Sequence, residues 1–496
     1  MRRLVRYGSF ALGVGLLLVF IGCSGGDSGP NEDPPAAGDA VPAYGDALLE
    51  GSIGDASNLI PMLAGDSSSH SVGGLIFDPL LSYDKNQSEL EPRLVERWDV
   101  SEDGLTLTFH LRTDVRWQDG TPFTAADIEF GFRTITAPGT MTAYAEDYRQ
   151  VERFELLDAH SFRVRYEKPF APALDSWARN LLVLPRHVLE GRDINEASDF
   201  ARKPLGLGMY KLESWKTGTE ISLLSNHDYY RGRPYIEKVV YRIIPDQQTQ
   251  FLELKSGGLD QMGLTPLQFT RQTSTADFVR DFNKYKYLTN SYTYLGYNLR
   301  KEIFKDRRVR RALTHAVNKQ EIVDAVLLGL GAPTKSPYKP GTYWMNEEVS
   351  DLVFDPEKAR SLLAEAGWVD SDGDGVLDKD GARFEFKIMT NQGNDLRLKT
   401  ATIIQRRFKE IGVDASVRVY EWSAFINDFV DKRKFDAVVL GWSLGLDPDQ
   451  YDIWHSSKTS TSYPSQTPRL TSCSKRRGDP LIVPNARDST IVFRRY

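Results

Sequence analysis

The stretch "IFDPLLSYDKNQSELEPRLVERWDVSEDGLTLTFHLRTDVRWQDGTPFTAADIEFGF" spans residues 76–132. Its second half sets the reading of the chain. In "LTLTFHLRTDVRW" (105–117) apolar and polar residues alternate, the period-two pattern of a half-buried strand. Asp119 and Gly120 then mark a turn. "TAADIEFGFRTI" opens as a helix, with Thr124 placed to cap its first turn. Strand, turn and helix in succession point to mixed α and β structure.

The same signals continue outward. "SFRVRYEK" (161–168) alternates again, and "YIEKVVYRIIPD" (235–246) is a strand rich in β-branched residues. In "DPEKARSLLAEAGW" (355–368), Asp355 caps, Pro356 fits the first turn, and an apolar stripe recurs at helical spacing. "FEFKIMT" (384–390) is a strand, and "RLKTATIIQRRFKEIG" (397–412) is a helix stopped by Gly412. "DASVRVYE" and "FDAVVLGW" are strands again. Strands and helices alternate in the second half, so the expected class is α/β. No internal repeat is found. At 496 residues the chain is too long for one compact core, so two or three domains are expected.

Lys and Arg number 62 against 68 Asp and Glu, a net charge of −6. That balance argues against nucleic acid as the main partner. The chain lacks the G-x-S-x-G, H-E-x-x-H and Walker A motifs, and no G-x-G-x-x-G follows a strand. The seven His are scattered, with none paired at metal-ligand spacing. The expectation is therefore a protein that is not an enzyme and holds no cofactor. An acid pair assembled only in three dimensions stays open.

The N-terminus reads as a targeting segment. Arg2, Arg3 and Arg6 precede the apolar run "FALGVGLLLVFIG" (10–22), in the order of a secretory signal and too short for a comfortable membrane span. Cys23 follows a small residue at the end of that run, which resembles the bacterial lipobox, with Phe20 where Leu is usual. The expectation is a signal peptide over 1–22, lipidation of Cys23, and a Gly-, Pro- and acid-rich tether over 23–44. The only other Cys is Cys473, so no internal disulfide is expected.

"GWVDSDGDGVLDKDG" (367–381) begins like a calcium loop, with Asp370, Asp372 and Asp374 alternating before Gly375. The twelfth loop position, which needs a bidentate acid, is Gly381, and Asp378 at the ninth is a partial substitute. Two readings stand: an acidic turn leading into a hairpin of "VLD" and "ARFEF", or a weak calcium site.

The 76–132 stretch closely resembles the signature region of the extracellular solute-binding proteins of family 5, the oligopeptide- and dipeptide-binding receptors of ABC importers. Further phrases follow in the family order. They are "VLPRHVLEG" (183–191), the Gly-rich segment 203–246 with Met209 where Pro is usual, "LKSGGLD" (254–260), 295–323 and "GWSLGLDPD" (441–449). In many members a similar Asp-Gly phrase links this helix to this strand without a known calcium role, which supports the turn.

The resemblance implies a periplasmic-binding-protein-like class II (cluster C) α/β fold. Such a fold has two lobes, an extra inserted domain and a ligand cleft between the lobes. Domain I would be 45–73 plus 192–288, domain II 74–191 and domain III 289–458, with "YLTNSYTYLGYNL" as an extended segment at the hinge. The implied partners are a peptide or peptide-like ligand and the subunits of an ABC permease. The protein would work as a monomer in the periplasm or cell envelope, held to the membrane by its lipid. By position, Trp422 and Trp442 would line the side-chain pockets, with core packing as the plain alternative. Ser67, Ser68 and Ser69 and the hinge residue Tyr294 would touch ligand backbone. Dipeptide-binding members hold the ligand amine with an Asp near Gly445, where the nearest acids are Asp447 and Asp449. They hold the ligand carboxylate with an Arg where this chain has Asn391. Asn391, Gln392 and Asn394 would offer neutral contacts instead. A longer peptide, or a non-peptide solute such as an oligosaccharide, a metal chelate or an opine, is then an alternative ligand. A chaperone or chemosensory receptor on the same fold is an alternative role.

The last 38 residues, "TSTSYPSQTPRLTSCSKRRGDPLIVPNARDSTIVFRRY" (459–496), lose the periodicity of what precedes them. The expectation is a frameshifted tail that leaves domain III incomplete and the sheet of domain I without its closing segment, with a genuine disordered basic tail as the alternative.

Overall fold

The computed structural model describes residues 42–84, 89–342, 344–445, 449 and 488–494. Cys23 with its leader and tether, Asp447, and the tail up to 487 lie outside the described residues. No helix among the described residues is long and apolar enough to cross a membrane.

The opening stretch folds much as its pattern dictates. Thr106–Leu111 is a strand in which Leu107, Phe109 and Leu111 are buried. The strand is shorter than 105–117. Residues beyond Leu111 leave the sheet for a tight turn in which Trp117 N donates to Thr121 O at 2.8 Å and Gly120 takes a φ of 90°. The helix Ala125–Thr136 then starts on Thr124, whose N–H donates to the Asp127 carboxylate at 2.9 Å. The helix Pro356–Glu365 likewise starts on Asp355, which accepts from Lys358 N at 2.9 Å.

Three larger sheets organise the chain. A seven-stranded sheet runs in the order Phe282–Leu288, Asp488–Arg494, Gln261–Gly263, Gly45–Ser52, Ile236–Ile243, Glu220–Ser225 and Tyr210–Lys216. An antiparallel four-stranded sheet is built from residues 95–166. One continuous core joins these two sheets, with Leu223 and Val239 at one end and Phe109, Phe162 and Trp177 at the other. The rings of Phe109 and Phe162 stack at 5.0 Å. The third sheet has the order Ser291–Tyr297, Ala437–Ser443, Glu385–Asn391 and Asp414–Tyr420. It has its own core against the helices Arg307–His315, Pro356–Glu365 and Asp395–Lys409, centred on Phe304, Phe384 and Phe408. Separate cores make two lobes.

The extended segment at the expected hinge is two strands. Phe282–Leu288 ends in the seven-stranded sheet, and Ser291–Tyr297 begins in the other lobe, so the chain crosses at Thr289 and Asn290.

The tail requires a correction. Asp488–Arg494 pairs antiparallel with both Phe282–Leu288 and Gln261–Gly263, so the seven-stranded sheet is continuous where an open edge was expected. "STIVF" is rich in β-branched and aromatic residues, and a strand of that kind satisfies the backbone groups of two neighbouring edges.

Candidate functional site

Between the lobes lies a cavity of about 2560 Å³. One wall comes from the loop entering the helix Ser67–Ile76. The opposite wall comes from the strand Ser291–Tyr297, the start of the helix Asp395–Lys409 and the end of the strand Ala437–Ser443. Among the described residues, Ser291–Tyr297 pairs with Ala437–Ser443 on one side and with no strand on its other edge.

Asp66 organises the first wall. It is buried and caps the helix Ser67–Ile76, accepting from Ser69 N at 3.0 Å and Ser69 Oγ at 2.5 Å, and also from the Ser57 hydroxyl. From the other lobe, Trp422 Nε1 donates to Asp66 Oδ1 at 3.2 Å. The indole fits there because residue 54 is Gly. A Cβ on Gly54 would lie 2.8 Å from Trp422 Cβ. Gly393 plays the same part beside it, with a φ of 80° and room for no Cβ, since one would meet Pro245 O at 2.5 Å. At this point the lobes touch through glycines and the part-buried hydrogen bond from Trp422 to Asp66.

Trp422, Trp442, Tyr294 and Ser67 line the cavity, as does Asp449. The Trp442 indole N–H is buried and has no partner among the described residues. Ser68 is not part of the lining, and Ser69 is buried with its hydroxyl committed to Asp66. The helix cap takes up the Ser69 hydroxyl.

Asn391 and Gln392 also lie outside the lining, while Asn394 belongs to it. Asn391 is buried at the end of its strand, where its Oδ1 accepts from Arg397 Nη1 at 2.9 Å. Asn391 Oδ1 is thus engaged by a cation from six positions later in the chain. The guanidinium of Arg397 lies 5.7 Å from the centre of the Trp422 ring and lines the cavity. Burial brings its pKa down to about 10, with the Tyr294 phenol as a smaller opposing influence. It remains charged at neutral pH.

Two other cations of the cleft, Arg179 and Lys319, are paired within the protein. Arg179 binds Asp175 at 2.8 Å and lies 3.8 Å from Asp147. Lys319 binds Asp351 at 2.6 Å. Asp431 faces the water of the cleft yet is enclosed by the protein around it. That enclosure, and then the charge of Asp66, push its carboxyl up to about 6 against the weaker pull of Lys432.

The family model for bacterial extracellular solute-binding proteins, family 5 Middle, matches residues 89–464. This chain belongs to that family. The oligopeptide-binding protein AppA of Bacillus subtilis (strain 168) is 33% identical to it over 457 residues, covering 89% of this chain and 82% of the relative. The solved structure of AppA from Bacillus subtilis in complex with a nonapeptide has a TM-score of 0.83 and 29% identity, covering 91% of this chain and 95% of that one. NikZ from Campylobacter jejuni in complex with Ni(L-His) has a TM-score of 0.77 and 26% identity, covering 90% and 94%. The two-lobed class II α/β architecture expected from the sequence is the fold of this family 5 protein.

Sequence reading of the family 5 protein missed Arg397, although a signal was present. Ala401, Ile404 and Phe408 form the buried stripe of the helix Asp395–Lys409. Arg397 heads that stripe, one turn before Ala401, in the first helical turn where a cation opposes the helix dipole.

The acidic stretch sits away from the cleft. Asp370, Asp372 and Asp374 are exposed and bring one carboxylate oxygen each within 4.8 Å of the others. Asp378 takes no part, accepting from Ser371 N at 2.9 Å and Ser371 Oγ at 2.7 Å. Asp370 accepts from Gly373 N at 2.8 Å and Gly375 N at 3.0 Å, and Arg383 pairs with Asp374. Asp378–Lys379 pairs with Ala382–Arg383 across Asp380 and Gly381, both at positive φ, as a two-residue hairpin turn requires.

Proposed function

We propose that this family 5 protein captures peptides in the inter-lobe cleft and delivers them to an ABC permease, held to the membrane by acylated Cys23. The observation that carries this reading is the edge of Ser291–Tyr297 along the cavity wall that no strand among the described residues pairs. An extended peptide can add to such an edge through main-chain hydrogen bonds, each worth about 0.5–1.5 kcal/mol net, with little regard for side-chain identity. The volume agrees. At about 2560 Å³ the cavity exceeds the roughly 300–1,000 Å³ of a site for a drug-sized ligand. The nonapeptide in the AppA structure supports a ligand of several residues. Trp422 and Trp442 offer apolar walls, and the crossing at Thr289 and Asn290 serves as the hinge between domains I and III.

Ligand released by denaturing the purified protein and identified by mass spectrometry tests the reading. Peptides of several residues are expected. Recovery of metal chelates, opines or oligosaccharides alone overturns it. The anchor is tested separately. Acyl chains contribute about 0.8 kcal/mol per buried CH₂, and two or more hold a protein stably. Cys23→Ser is expected to move the protein from the membrane to the soluble fraction, and continued membrane retention refutes the anchor.

A further inference from the structure

The segment that follows the strand Ser291–Tyr297 carries a charge out of keeping with the rest of the chain. Seven of the thirteen residues 299–311 are Lys or Arg, against the two acids Glu302 and Asp306, in a protein whose net charge is −6. The segment runs through a short turn at Glu302–Phe304 into the helix Arg307–His315. Lys301, Lys305 and Arg308 meet Asp436, Glu302 and Asp306 at 2.7, 2.6 and 2.7 Å. Arg300, Arg307 and Arg311 are exposed and have no ion-pair partner among the described residues.

A second cationic run adjoins this one. Buried Asn298 ties the two together: its Nδ2 donates to Arg433 O at 3.1 Å, and its Oδ1 accepts from Arg300 N at 3.1 Å. Arg433 and Lys434 form no ion pair among the described residues either, while Lys432 meets Asp428 at 2.6 Å and Asp431 is the remaining acid of that run. On the other side, Arg310 Nη1 donates to Lys305 O at 2.8 Å and holds the helix against the turn.

Local physics does not favour this arrangement. The first turn of Arg307–His315 has no acid, and cations there oppose the helix dipole. Arg307 and Arg311 stand one helical turn apart and repel each other. A charge cluster that the fold does not reward points to a partner outside the molecule. The chemistry of that partner follows from what the patch lacks. Among the described residues, none of the large exposed apolar side chains lies in 299–311 or 432–436. Protein interfaces are built around buried aromatic and apolar anchors, with charge depleted at their centre. Exposed cations without anchors suit a surface of diffuse negative charge instead.

We propose that the face formed by Arg300, Arg307, Arg311, Arg433 and Lys434 docks on the anionic phospholipid headgroups of a membrane surface. Arg433 also lines the inter-lobe cavity, so a membrane held there lies beside the cleft. The inference rests on the reading that the protein works at a membrane, and it uses no residue of the acyl anchor.

The test is cosedimentation of the full-length Cys23→Ser protein, free of any acyl chain, with vesicles. The vesicles are phosphatidylcholine alone, or phosphatidylcholine with an equal part of phosphatidylglycerol. Binding to the anionic vesicles is expected to exceed binding to the neutral ones by about tenfold or more at about 0.1 M salt, and to vanish at about 1 M. Each of Arg300→Gln, Arg307→Gln and Arg311→Gln should weaken anionic binding by about fivefold, and the three together by about a hundredfold. The single variants at exposed positions decide the matter if the triple variant does not fold. Lys at the same three positions keeps the charge and should keep the binding. Arg153→Gln, Arg163→Gln and Arg165→Gln together remove the same charge from exposed positions on the sheet of residues 95–166, and should leave binding within about twofold. Equal binding to both vesicle types overturns the inference. So does a loss as large in this second triple variant as in the first, which would show attraction to net charge rather than to the patch. Neither result touches the anchor, which is read separately from the fractionation of Cys23→Ser in cells.

Discussion

Replacing Trp422 with Ala is expected to weaken ligand binding by about 2–3 kcal/mol, roughly 30- to 150-fold in Kd, with Trp422→Phe costing about 1 kcal/mol. The two variants separate the two jobs of the indole. Its ring packs on Gly54, lies 6.5 Å from Phe425 between ring centres, and faces the guanidinium of Arg397. Its N–H donates across the cleft to the buried carboxylate of Asp66. Alanine removes both and opens the wall, whereas Phe keeps the apolar face and loses the hydrogen bond. Calorimetry with a peptide recovered from the native protein measures each. Unchanged affinity in Trp422→Ala would show that ligand binds elsewhere. Trp442→Ala, on the neighbouring part of the wall, should add to the loss.

The second large effect concerns pH. Asp431 carries a carboxyl raised from 3.8 to about 6, by enclosure first and by Asp66 second. A raised carboxyl means that the ionised form is disfavoured in the folded protein. Above pH ~6 the charge on Asp431 therefore works against the fold, and this cost disappears as pH falls through 6 toward 4. Asp431→Asn should accordingly raise Tm at pH 8. Its advantage over the wild type should shrink between pH ~6 and ~4, where the wild-type carboxyl takes up its own proton. The comparison of variant with wild type cancels the acid sensitivity of other groups. Thermal melts across that range check it, and a Tm gain independent of pH would show that the substitution acts by packing instead.

Local features were legible early. Thr124 and Asp355 cap helices because a side-chain oxygen one residue before a helix satisfies backbone N–H groups that nothing else reaches. Leu107, Phe109 and Leu111 point inward because successive strand residues face opposite ways. Asp380 and Gly381 turn a hairpin because that pair tolerates positive φ. Where reading fell short, local pattern and placement disagreed. The strand from 105 stopped at Leu111, and "STIVF", embedded in a tail without periodicity, found two strand edges to join.

The candidate site divides in the same way. The sequence by itself determined the α/β class, the family resemblance and the presence of Trp422, Trp442 and Tyr294 on segments that reach the cleft. Caps, alternation and turn chemistry act over a few residues, and the family phrases are contiguous words. Only the tertiary structure decided that Ser69 is spent on a helix cap, that Asn391 seats a cation and that this cation is Arg397. It alone brought Trp422 to Asp66, 356 positions away in the chain. Contacts of that kind depend on how two separately packed lobes meet, and no short-range period in the sequence encodes the meeting.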